Sequence, residues 1–129
     1  MEKIEKPSLV SALGLAYIGD GVYELFVREK IINLYPDLPA CELHKKSVSY
    51  VKAKAQSNSV ESLMEMLTED ELAVFKRGRN AKSNTVPKNA ELIDYRRATG
   101  FEALVGYLYL SGKTERLEVI MECAFNNAF

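Results

Sequence analysis

Over residues 13–27, LGLAYIGDGVYELFV, polar and apolar positions follow the period of an α-helix. Leu13, Tyr17, Asp20, Glu24 and Val27 step by four and three and so share one face. That face carries a carboxylate, Asp20, set between Gly19 and Gly21 in an otherwise apolar run. Ser8, after Pro7, reads as the N-cap of a long helix reaching about residue 34, where the prolines of YPDLPA (35–40) end it. From Cys41 to about residue 67, apolar residues again recur at helical spacing, with Asn58-Ser59 as a candidate break. Thr68 and Glu71 form a capping-box pattern for a short helix to about residue 76. Residues 77–90, RGRNAKSNTVPKNA, hold glycine, proline and three asparagines with little apolar content, and read as a loop. Helix resumes near Glu91 and ends with Gly112 as its C-cap; Thr114 then caps a last helix. No sustained alternation of period two occurs, so the fold class is all-α, and 129 residues form a single domain, 1–129.

Composition adds little until charge is mapped along the chain. No apolar run reaches the ~18–20 residues of a membrane span, and MEKIEKPS lacks the apolar core of a secretory signal. Cys41 and Cys123 lie far apart, with one histidine in the chain, so zinc ligation is disfavoured and both read as reduced, buried thiols of a cytoplasmic protein. Net charge is −1, which excludes a generic polyanion binder. Yet residues 76–97 hold seven basic residues against two acids, leaving −6 for the remainder. Such a local excess suggests a surface for phosphates, although a charge run also serves as a solvated face.

A second carboxylate is embedded like the first. Glu102 sits in GFEALVGYLYL, with Gly100 and Gly106 close by. If the two helices pack together, Asp20 and Glu102 converge, and the pair must then share a proton or a cation. Mg²⁺ suits such a pair, because it takes oxygen ligands and keeps several waters. On the residues alone, two unrelated structural acids explain the pattern as well.

Four blocks carry a resemblance: YIGDGVYELFVR, LHKKSVSYVKAKAQ, FKRGRNAKSNTVPKNA and YRRATGFEALVGYLYLSGKTERL. In this order, and covering nearly the whole chain, they resemble Mini-ribonuclease III, the bacterial ribonuclease III-like family with a catalytic domain and no double-stranded-RNA-binding domain. The chain length leaves no room for such an appended domain. The resemblance implies a helical, homodimeric ribonuclease III-like endonuclease domain that uses Mg²⁺ to hydrolyse double-stranded RNA, in particular the precursor of 23S ribosomal RNA. It implies that Asp20 and Glu102 are the catalytic metal ligands. Further acids of the wider ribonuclease III family fall here on Leu13, Ala16 and Thr99, so the acidic cluster is leaner. Waters and RNA phosphates would complete the coordination.

The remaining candidates follow from residue type. Arg77, Arg79, Asn80, Lys82, Lys88 and Asn89 are expected to bind RNA, since guanidinium, ammonium and amide groups match phosphates and 2′-hydroxyls. Glu24 reads either as a supporting acid or as one member of an Asp20–Glu24–Arg28 ladder along the helix. His44 reads as a groove contact or a structural histidine. Tyr17, Tyr23, Tyr107 and Tyr109 are expected in core and interface, and Gly14, Ile18, Val22 and Leu25 at the dimer contact. The competing reading is a ribonuclease III-like module that binds structured RNA and has weak or no cleavage.

Overall fold

The computed structural model describes residues 4–82 and 91–129. Among them a short 3₁₀ turn, Pro7–Leu9, is followed by helices α1 (Ala12–Leu34), α2 (Ala40–Val51), α3 (Ala53–Met64), α4 (Glu69–Asn80), α5 (Leu92–Leu110) and α6 (Thr114–Asn126), and no strand occurs.

Helix α5 is the axis on which the others are arranged. Ala98, Gly100, Phe101, Ala103, Leu104, Val105, Gly106 and Leu108 are all buried, because α1, α3, α4 and α6 pack around it. The core joins Tyr23, Val27 and Ile31 of α1 to Phe101, Leu104 and Leu108 of α5 and to Leu117, Ile120 and Met121 of α6. Tyr23 meets Phe101 edge to face, ring centroids 4.8 Å apart, and burial pushes its phenol well above the ordinary range.

Helix ends show where local chemistry decided the outcome. Ser11, not Ser8, caps α1: its hydroxyl accepts from the Gly14 N–H at 3.0 Å, while Pro7 starts the separate 3₁₀ turn. The Thr68–Glu71 capping box forms as expected, and Glu71 is also held by Arg116, whose guanidinium donates to both carboxylate oxygens and to the Met66 carbonyl. Gly112, at φ +70°, closes α5: its N–H bonds to Tyr109 and the Lys113 N–H to Leu108, a Schellman pair. Lys113 rather than Thr114 occupies the N-cap of α6.

Three further expectations are corrected. The break between α2 and α3 falls at Lys52, whose extended backbone (ψ 156°) turns the chain so that Ala55, Gln56, Ser59, Val60 and Leu63 face inward; Asn58-Ser59 lie inside α3. Helix α4 continues through Asn80, so Arg77, Gly78, Arg79 and Asn80 are helical and not part of a loop. The reason is packing: Gly78 rests against α5, where an added Cβ would lie 2.7 Å from the Ala103 Cβ and 2.9 Å from the Gly100 Cα. Cys41 is exposed in the first turn of α2 and Cys123 half-buried, so the two thiols are not a buried pair. Lys88 and Asn89 lie outside the described residues.

Candidate active site and basic surface

The site begins with two glycines. A Cβ on Gly19 would stand 1.8 Å from the Glu102 carbonyl oxygen and 2.8 Å from the Gly106 nitrogen; one on Gly106 would stand 2.0 Å from the Leu15 carbonyl oxygen. Here α1 and α5 touch backbone to backbone, which any side chain would forbid. Gly21, by contrast, has open space where its Cβ would be. Of the two glycines flanking Asp20, Gly21 alone keeps the space beside the carboxylate open. Gly19 serves the helix crossing, and the crossing brings the next residue, Asp20, to Glu102.

The two carboxyl groups lie close enough to act on each other directly. Asp20 is exposed, whereas Glu102 is largely enclosed. Burial, the hydrogen bond with Asp20 and repulsion by its charge push the Glu102 carboxyl up to about 9, opposed only in part by a hydrogen bond from Gln56. Without a cation Glu102 therefore keeps its proton at neutral pH. Among the described residues no further His, Cys, Asp or Glu completes a three-membered cluster. At the positions of the wider family's acids, Leu13 is exposed, Ala16 is buried, and the Thr99 hydroxyl donates to the Tyr95 carbonyl of its own helix at 2.9 Å.

Gln56, which the sequence reading did not single out, completes the surroundings. It is 2% exposed. Its Nε2 donates to the Val51 carbonyl, freed by the break at Lys52, at 3.0 Å, and the amide lies near enough to Glu102 to favour its charged form. Among the described residues its Oε1 has no hydrogen-bond partner, and a buried bare acceptor costs ~1–3 kcal/mol. A hard divalent cation with a hydration shell fits this donor set: two carboxylates, and beside them a neutral oxygen that lacks a donor. The signal in the sequence was an amide in the apolar row 56, 60, 63 of α3, meaningful only once α3 is known to face α5.

The other candidates divide. Arg77 donates to the carbonyls of Ser8 and Val10 at 2.9 and 3.0 Å, tying α4 to the N-terminal turn. Arg79 donates from Nε to the Asn80 Oδ1 at 3.1 Å, and both line an open cavity of about 390 Å³ together with Arg96 and Arg97, over a floor that includes Phe75. Among the described residues Arg79, Arg96 and Arg97 have no carboxylate partner. Lys82 is exposed just beyond α4. The structure thus joins part of the basic stretch to two arginines of α5. Glu24 accepts from Arg28 at 2.9 Å in the i,i+4 pair expected of it. His44 is exposed on α2 and lines a separate cavity with Arg28 and Ser47. Tyr23 is buried and Tyr107 half-buried, while Tyr17 and Tyr109 are exposed.

Comparison with known proteins bears on the family and the fold. The family profile described as Ribonuclease III domain matches residues 13–113. A protein of Clostridium tetani named Mini-ribonuclease 3 is 53% identical over 91% of this chain and 78% of its own. The protein of that name from Brevibacillus brevis is 52% identical over 96% of this chain and 92% of its own. The crystal structure of protein FN1578 from Fusobacterium nucleatum superposes with a TM-score of 0.84 at 29% identity, covering 97% of this chain and all of that one.

Proposed function

The chain belongs to the Mini-ribonuclease 3 family and carries its ribonuclease III domain, which makes it an endoribonuclease; from this premise we propose that it hydrolyses double-stranded RNA with Mg²⁺ held by Asp20 and Glu102. The observation that supports this most is the apposition of the two carboxyls across the close Gly19–Gly106 crossing. Glu102 gives up its proton on cation binding, since only the carboxylate is a ligand. A bound Mg²⁺ supplies charge neutralisation at the scissile phosphate and makes a water acidic enough to attack it. Exposed Asp20 faces the side from which a phosphodiester arrives, and Gly21 leaves that approach clear.

Substrate binding falls to the basic surface. Arg79, Lys82, Arg96 and Arg97, with Asn80, offer charge-assisted hydrogen bonds to RNA phosphates. Arg77 belongs to this set only through its charge, because its guanidinium is held by backbone carbonyls. Duplex RNA hides its bases in the deep groove, so a surface of this kind reads backbone shape rather than sequence.

The proposal includes a homodimer. Tyr17 (82% exposed) and Leu25 (67%), with Leu13, form an apolar strip along α1 beside Asp20. A patch of that character on a small protein marks an interaction surface. Ile18 and Val22 are turned partly inward, which moves the proposed contact from them to Leu13, Tyr17 and Leu25. Two-fold pairing would present one carboxylate pair to each strand of a duplex. The proposed cellular substrate is precursor 23S ribosomal RNA, in the cytoplasm; no helix among the described residues is long and apolar enough to cross a membrane.

The test is cleavage of a long duplex RNA by the purified protein with Mg²⁺, Ca²⁺ or a chelator. Cleavage with Mg²⁺ only is expected. Cleavage that persists in chelator contradicts the metal role, and binding without cleavage in Mg²⁺, on duplex and on precursor ribosomal RNA alike, favours an RNA-binding module.

A further inference from the structure

Gln56 is fixed in a way that dictates what its amide can do. Its Nε2 donates to the Val51 carbonyl, which only accepts, so the amide cannot turn over without setting oxygen against oxygen. The influence of the amide on Glu102 favours the charged carboxylate, which is that of an N–H turned toward it. One N–H is thus committed to the end of α2, and the same nitrogen faces Glu102. The carbonyl oxygen Oε1 shares its carbon with Nε2 and so stays near Glu102, buried and without a hydrogen-bond donor among the described residues.

Three features of the chain combine to hold it there. The break at Lys52 frees the Val51 carbonyl, the inward face of α3 carries Gln56 toward α5, and the flanking Ala55 and Ser59 are small and buried. Ser59 turns its own hydroxyl back to the Gln56 main-chain carbonyl at 2.7 Å, so it offers Oε1 no donor. An apolar side chain would deprive the Val51 carbonyl of its donor, but that need accounts for the N–H alone and not for the bare Oε1.

We propose that Gln56 is a positioning residue of the carboxylate pair: it orients Glu102 through its N–H and, through Oε1, accepts a hydrogen bond from a water of the cation's hydration shell. The inference rests on the reading that Asp20 and Glu102 hold a divalent cation, and adds that their affinity depends on a neutral neighbour from a third helix. Mg²⁺ keeps several waters when only one or two carboxylates bind it, and outer partners of this kind typically carry 10–100-fold in affinity.

The experiment is Mn²⁺ binding to the full chain without RNA, read from the loss of the free-ion electron paramagnetic resonance signal at fixed pH, with helicity and melting temperature recorded for each variant. Gln56→Met conserves volume and removes both donor and acceptor. It is expected to stay folded and bind Mn²⁺ about tenfold or more weakly. Gln56→Leu, which likewise has neither donor nor acceptor, is expected to weaken binding to the same extent. Asp20→Asn and Glu102→Gln report on the underlying site. If either abolishes binding while Gln56→Met binds within twofold of the unaltered protein, the site stands and the inference about Gln56 is overturned. If Asp20→Asn and Glu102→Gln both leave binding unchanged, the carboxylate reading itself fails. Should Gln56→Met not fold, Gln56→Leu decides: binding within twofold of the unaltered protein overturns the inference, and an affinity tenfold or more weaker supports it.

Discussion

Glu102→Gln should make the metal-free protein more stable at alkaline pH, although it removes a group placed at the centre of the site. The Glu102 carboxyl is pushed up to about 9 in the folded protein against an ordinary value near 4.5. Between those values the unfolded chain has ionised while the folded chain keeps its proton. The unfolded state then binds fewer protons, so stability falls as pH rises through the window; it is fully present below 4.5 and lost by about 9. The slope approaches ~1.4 kcal/mol per pH unit, or roughly 3 kcal/mol between pH 5.5 and 8. The replacement amide does not titrate, yet it keeps both contacts: its nitrogen donates to Asp20 and its oxygen accepts from Gln56. Urea unfolding in chelator, at one protein concentration, measures the difference between variant and parent at the two pH values. That difference is expected to grow by roughly 3 kcal/mol in favour of the variant at pH 8. A difference constant to within about 0.5 kcal/mol would refute the argument that Glu102 is held protonated in the metal-free fold. Adding Mg²⁺ at pH 8 should stabilise the parent and leave the variant unmoved, since ligand binding to the native state alone raises stability.

Gly19→Ala should disrupt folding or sharply lower the melting temperature, because its Cβ meets the Glu102 carbonyl at 1.8 Å, whereas Gly21→Ala is expected to be neutral or slightly stabilising; thermal melts of both check this. Replacing Arg79, Arg96 and Arg97 together by alanine should weaken duplex RNA binding and flatten the dependence of log affinity on log salt by roughly 2–3, and an unchanged slope would remove these residues from the RNA surface. Arg77→Ala is expected instead to lower stability through the carbonyls of Ser8 and Val10, with a much smaller change in salt slope. Tyr17→Lys should shift the protein to monomer in sedimentation; an intact dimer would exclude the α1 strip as the contact.

Much of the fold was legible because its signals are local. The capping box at Thr68, the prolines of 35–40 and Gly112 after α5 each act within a turn of where they stand. The errors arose where one residue type has two uses. Gly78 reads as a loop residue in a polar stretch, yet it is the point where α4 meets α5, so the helix runs on to Asn80. Ser8 and Ser11 both have N-cap chemistry, and only the 3₁₀ turn from Pro7 selects the second. Nothing near Lys52 breaks a helix by propensity; the turn there lets α3 lie on α5, a tertiary cause. The carboxylate pair was visible because Gly19 and Gly106 advertise a close crossing. Gln56 was not, because a buried amide has meaning only through what it faces, and Arg96 and Arg97 joined Arg79 only through the packing of α4 on α5.

The central claim is that Asp20 and Glu102 act as one unit on one cation. Single-turnover cleavage of a duplex RNA at saturating Mg²⁺, by Asp20→Asn, Glu102→Gln and the double variant, tests it most directly. The account predicts that each single change removes nearly all cleavage while RNA binding persists, and that the double variant is little worse than either. Losses that multiply, or substantial cleavage by either single variant, would contradict it.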